Sequence, residues 1–175
     1  MRRIIPDVEI DDFLREEKHL PDDWRQQLHP KIMIHSRHLG SQLTLDGAAG
    51  NKYIIETRQS PDNCLDYSII LVFREIGDAG EEYVLLRCNG IHRARHSNKI
   101  EQRQGAPGAV FDPCPHIHMA TERYQMTEWD MDAYAQPTDL YRTFPEALEY
   151  FTRHYGFRRP SADTGDLFAH QETRP

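Results

Sequence analysis

The sequence predicts an α+β fold, a mostly antiparallel sheet of about five strands with helices before it and one helix after it. Three observations lead there. Apolar, β-prone runs fill the middle of the chain and are joined by short, turn-bearing connections, which favour antiparallel neighbours. Two acid-led segments precede them, and a capped amphipathic segment follows. Strands in a run with helices at the two ends belong to a sheet covered by helices rather than to an alternating α/β pattern. At 175 residues the chain is in the size range of one domain. Residues 1–157 are expected to form that domain, and 158–175 a polar, flexible tail.

Asp11–Glu17 and Pro21–Leu28 each begin with acids, which stabilise a helix N-terminus. Pro21 suits a first turn, and Trp24 and Leu28, four apart, make one apolar stripe. Gln42–Leu45 and Lys52–Thr57 flank the glycine-bearing turn 46–51 and read as a hairpin. Tyr67–Phe73 is a continuous β-prone run, the best candidate for a central strand, with Tyr83–Cys88 as its antiparallel partner. His116–Ala120 reads as a further strand whose alternation places His116 and His118 on one face and Ile117 and Met119 on the other. In the last helix Thr143 and Glu146 form a capping box, Phe144, Leu148, Phe151 and Tyr155 share a face, and Gly156 stops it.

The whole chain carries a net charge of −7, which argues against a surface that attracts nucleic acid everywhere. The charge is not evenly spread. Between Arg87 and Gln104 the bases Arg87, Arg93, Arg95, Lys99 and Arg103 oppose the single acid Glu101, a local charge of +4. Such a segment can concentrate an anionic ligand on one face. The long Gly- and Pro-rich loop 91–115 contains most of it, and loops of that length inside a compact domain are usually functional or disordered. No apolar run reaches the roughly 20 residues that cross a bilayer, and the N-terminus turns acidic before a signal-peptide core can form. Three widely spaced cysteines, Cys64, Cys88 and Cys114, make a poor disulfide framework and read as thiols. A cytoplasmic protein without membrane contact is expected.

Four of the ten histidines, His92, His96, His116 and His118, lie in or beside that loop. Two chemistries use such a group. In the first, imidazoles act as general base and acid on RNA without a cofactor, with Arg87 stabilising the phosphorane charge. Arg93, Arg95, Lys99 and Arg123 would then hold phosphates and Tyr124 a base. In the second, His116, His118 and Glu122 reproduce the His-x-His-x3-Glu kernel of cupin-like sites and hold a divalent transition metal. A third, non-enzymatic class is an interaction protein of phage or defence biology in which the histidines are incidental.

The order of these residues resembles a known pattern. A strand ending in Arg87-x-Asn89-x-x-His92, a variable loop, Pro115-His116-Ile117-His118 and a closing helix from Phe144 to Phe151 loosely resemble the TumE-like toxins of bacterial toxin–antitoxin pairs. A related uncharacterised bacterial and prophage group shares the pattern, which covers the C-terminal half. The resemblance implies a toxin-like endoribonuclease, with RNA as substrate and an antitoxin or other protein as partner. Arg87, His92, His116 and His118 are the matching positions. The acidic composition and the long loop depart from it.

Overall fold

The computed structural model describes residues 3–33, 36–76 and 80–161. It is α+β. Helix α1 (Asp7–Arg15) starts one turn earlier than the sequence suggests, because Pro6 occupies the cap position and Asp7 and Glu9 supply the first-turn acids. Ile10, Phe13 and Leu14 form its buried stripe. Strand β1 (Lys18–His19) follows, and then α2 (Trp24–Gln27) is a single turn, with Pro21, Asp22 and Asp23 forming the bend before it.

The next strands form a meander: β2 (Lys31–Ile32), β3 (Leu39–Asp46), β4 (Lys52–Gln59), β5 (Tyr67–Arg74) and β6 (Glu82–Asn89). The chain then leaves the sheet through β7 (His96–Ser97), α3 (Lys99–Arg103) and β8 (Val110–Phe111), and returns as β9 (His116–Met119) beside β6. A short α4 (Glu122–Gln125) leads to β10 (Tyr134–Pro137), which pairs with β9. The principal sheet therefore has seven antiparallel strands in the order β10-β9-β6-β5-β4-β3-β2, rather than about five, with β5 at its centre. The additional strands, β2 and β10, are short edge strands whose sequences carry little alternation.

One face of the sheet packs against α1, α2 and α5 (Phe144–His154) in a continuous apolar core. Phe13 stacks on Phe73 with ring centroids 4.1 Å apart, and Phe144 meets Tyr67 edge-on at 5.7 Å. Each fully buried aromatic or aliphatic side chain of this kind contributes roughly 1.5–3 kcal/mol. The Thr143–Glu146 capping box is present, and Gly156 follows the helix with φ of 72°. A Cβ at Gly156 would lie 2.2 Å from the Glu16 carbonyl oxygen, so only glycine allows the end of α5 to meet the end of α1. Phe157 and Arg158 continue as β11, parallel to β1. Residues 162–175 lie outside the described residues. No helix among the described residues is long and apolar enough to cross a membrane.

A β-bulge decides what the other face displays. Leu71 pairs with Leu86 but Val72 pairs with Val84, leaving Leu85 as the extra residue. Leu85 and Leu86 both enter the core, and the alternation changes phase after them. Cys88 then points inward, and Arg87 and Asn89 share the opposite face with their cross-strand partners, His118 and His116.

Candidate metal centre

That face is where buried polarity gathers. Eight polar or charged side chains are buried among the described residues, and five of them, Asn89, Asn98, His116, His118 and Asp132, belong to this region. The bulge brings Arg87 and Asn89 beside β9. Gly90 then lets the chain turn, since a Cβ there would meet the Leu65 carbonyl oxygen at 2.1 Å. The excursion from Ile91 to Pro115, expected as a loop, is built around the paired β7 and β8, and it folds back over the β9–β10 edge. Asn98 fixes it there. Its side-chain amide donates to the Ala135 carbonyl and accepts from the Ala135 N–H, both at 2.8 Å, completing the edge of β10 as a neighbouring strand would.

Three imidazoles converge as a result. One ring nitrogen each of His96, His116 and His118 lies within 4.8 Å of the other two. The nitrogens that face away are held by the scaffold: Nδ1 of His116 donates to the Cys114 carbonyl at 2.7 Å and Nδ1 of His118 to the Asp132 carbonyl at 2.8 Å. A carbonyl only accepts, so each bond fixes the tautomer and leaves Nε2 with its lone pair. His96 Nε2 lies 2.9 Å from Asn98 Oδ1, the oxygen that also accepts from Ala135. Phe111 covers His96 and His116 at centroid distances of 4.9 and 5.6 Å.

Burial keeps these rings neutral. It pushes His116 down to about 4, opposed by the Cys114 carbonyl and reinforced by the neighbouring His92, His96 and Arg87. Burial pushes His118 down to about 3, with His116 and Arg87 adding to it, and His96 is lowered mainly by the same loss of water. Neutral imidazoles anchored by a backbone acceptor are the form in which histidine ligates metals. Bonds of 2.0–2.1 Å in tetrahedral geometry need ligand nitrogens about 3.3–3.4 Å apart, so closing the triad asks each nitrogen to move by less than about 1 Å.

Two further groups border the triad. Nε2 of His92 lies 3.3 Å from Nε2 of His116, and Asn89 Nδ2 lies 3.2 Å from the same atom. Arg87 donates from Nη2 to Asp132 Oδ2 at 2.7 Å, so Asp132 holds Arg87 with its carboxylate and His118 with its carbonyl. Burial raises the Asp132 carboxyl, and Arg87 opposes this. Arg87 Nε and Asn89 Oδ1 are buried without partners among the described residues. Leaving such atoms unmet costs about 1–3 kcal/mol each, a cost more readily understood beside a ligand site than in a scaffold.

No protein-family model, curated protein or solved structure matches the chain. Its chemistry has to be read from the geometry.

The other residues singled out from the sequence are dispersed. Arg95 and Lys99 line a cleft of about 310 Å³ that opens beside His96 and His118. Arg93 is exposed on the excursion. Arg123 pairs with Glu101 and lies over the rings of Tyr124 and Tyr134. Tyr124 is fully buried, its hydroxyl donating to Glu101 at 2.7 Å and accepting from the Ile100 N–H, so Arg123 and Tyr124 brace α3. Glu122 is not part of the histidine cluster. After Met119 the chain turns into α4 with Thr121 as its cap, and the Glu122 N–H donates to Asp7 at the start of α1. The third member of the cluster is His96 instead. Asn98 and Asp132 have no sequence motif that marks them; Asp132 lies in an acidic stretch and pairs with Arg87.

Proposed function

We propose that His96, His116 and His118 bind one divalent transition metal of the zinc class and that the chain is a hydrolytic enzyme built on that centre. One observation carries this reading: three neutral imidazole nitrogens meet in one space, and those of His116 and His118 are oriented by backbone carbonyls. Three protein ligands leave a coordination position open, as catalytic zinc sites do and closed structural sites do not. A bound ion would acidify a coordinated water toward neutral pH. Around it, His92 is placed to exchange a proton beside His116, and Arg87 to face developing negative charge from its Asp132 anchor.

The low basicity of His116 and His118 argues against their serving as free general bases, which work best with a pKa near the operating pH. A second reading, metal-free cleavage of RNA by a toxin-like enzyme with a protein partner, draws support from the contact of His92 with His116. One experiment separates the two. The purified chain is titrated with zinc by calorimetry and assayed for RNA cleavage with and without EDTA. One equivalent of zinc is expected, with no RNA cleavage that survives EDTA. Absence of zinc binding would overturn the metal reading, and EDTA-resistant cleavage lost in His92→Ala would establish the second.

A further inference from the structure

The cleft beside the triad has a wall with a distinct chemistry. Arg87, Arg95, Lys99 and Trp129 line it together with His96 and His118. Two of these residues also carry a buried N–H group that meets no acceptor among the described residues, Arg87 Nε and Trp129 Nε1. Both groups can only donate. Lys99 makes no ion pair among the described residues and stands 5.9 Å from the Trp129 ring centroid. Arg95 pairs with Asp112 at 2.9 Å, both largely exposed, a contact worth about 0–1 kcal/mol and easily exchanged for another anion. Two carboxylates also line the cleft. Asp132 is engaged by Arg87, and Asp130 is exposed. Unmet donors and available cations call for a ligand rich in acceptor oxygens and carrying negative charge.

We propose that this cleft is an oxyanion subsite for a phosphate group, held by Arg87, Arg95, Lys99 and the Trp129 indole next to the triad. This deepens the hydrolytic reading by naming a phosphate ester as its substrate class, and it rests on that reading only for what the bound anion is used for. The fork of a guanidinium matches two phosphate oxygens, Lys99 adds a point charge, and the indole N–H adds a neutral donor. Arg87 is the element shared by the two sites: Nη2 is fixed by Asp132 and the half-exposed guanidinium borders the cleft.

The test is a titration with inorganic phosphate of the metal-free and the zinc-loaded chain. Trp24 and Trp129 are the two tryptophans, so a Trp24→Phe background makes emission report on Trp129 alone. Phosphorus NMR on the unmodified chain gives the same binding curve should that substitution disturb folding. Saturable binding sensed at Trp129 is expected in both forms, tighter with zinc, and weakened at least ten-fold in Arg95→Ala/Lys99→Ala while zinc stoichiometry stays the same. A short single-stranded oligoribonucleotide is titrated in parallel. Binding ten-fold tighter than phosphate assigns the anion to a polymer backbone, and equal binding assigns it to a small phosphate ester; either supports the subsite. No saturable response in either form, or a double variant that binds phosphate as the parent does, would overturn it. Loss of the metal reading shows separately, as absent zinc with phosphate binding intact.

Discussion

The buried polar groups around Lys18 and those around the histidines are built in opposite ways. On the helical side Lys18 is completely buried. Its ammonium donates to the carbonyls of Phe13 and Leu14 at 2.8 and 3.4 Å, Glu16 at 2.7 Å and Tyr155 at 3.4 Å, and it stands 4.5 Å from the Tyr53 ring centroid. These carbonyls belong to the ends of α1 and α5, where a cation is favoured by both helix dipoles. Its three N–H groups are shared among these four carbonyls. On the other face Asn89, His116 and His118 are buried and Arg87 and His96 half-buried, yet Arg87 Nε and Asn89 Oδ1 are unmet among the described residues and three imidazole nitrogens converge on one space. A satisfied polar knot specifies how elements dock; an unsatisfied one beside an open cleft has the construction of a binding site.

The comparison is broken most forcefully at the histidines. Replacing two of three ligands in His116→Ala/His118→Ala should weaken zinc binding by more than about 10⁴-fold, since each ligand normally carries a large share of metal affinity. Lys18→Met should do the reverse, costing about 2–4 kcal/mol by leaving helix-end carbonyls without a donor, with zinc stoichiometry unchanged in calorimetry.

The acid–base behaviour of the first knot sharpens the contrast. Burial pushes Lys18 down to about 8, with Glu16 opposing. Its folded value is below that of the unfolded chain, so between pH 8 and 10 the unfolded state binds more protons and stability should rise with pH, by at most about 2.7 kcal/mol. The four carbonyls favour the charged form and reduce the rise. Lys18→Met should flatten it, which comparing unfolding curves of the two proteins at pH 8 and 10 would detect. Above pH 10 the buried tyrosines act in the opposite sense, because burial raises Tyr53, Tyr67 and Tyr155 and the unfolded chain ionises first.

Smaller effects probe the supporting shell. Asn98→Ala removes the group that holds His96 and the β10 edge, and a loss of about ten- to a hundred-fold in zinc affinity is expected. Glu122→Gln should leave zinc affinity within about two-fold, whereas a His-x-His-x3-Glu centre would lose most of it.

Which parts of this were legible in the sequence follows from where the information is local. Tyr67–Phe73 declares a central strand by composition, the Thr143–Glu146 pair declares a helix start, and His-x-His declares a shared face; each depends only on neighbours in the chain. The site depends on registers that no window contains. Simple alternation from Tyr83 would send Arg87 into the core, and only the extra residue Leu85 turns it toward His118. His96 reaches the triad because the Asn98 side chain pairs with Ala135, 37 residues away. Glu122 has the right spacing for a strand, but Thr121 starts a helix there, and the Glu122 backbone N–H is drawn to Asp7 of α1.

The most direct measurement is the visible absorption spectrum of the chain titrated with cobalt(II), a spectroscopic substitute for zinc whose d–d bands are intense in four- or five-coordinate sites and weak in octahedral ones. One equivalent should develop the intense spectrum, zinc should displace it, and His118→Ala should abolish it. A spectrum that stays that of hydrated cobalt, or an intense one that survives in His118→Ala, would contradict the assignment of His96, His116 and His118 as a metal centre.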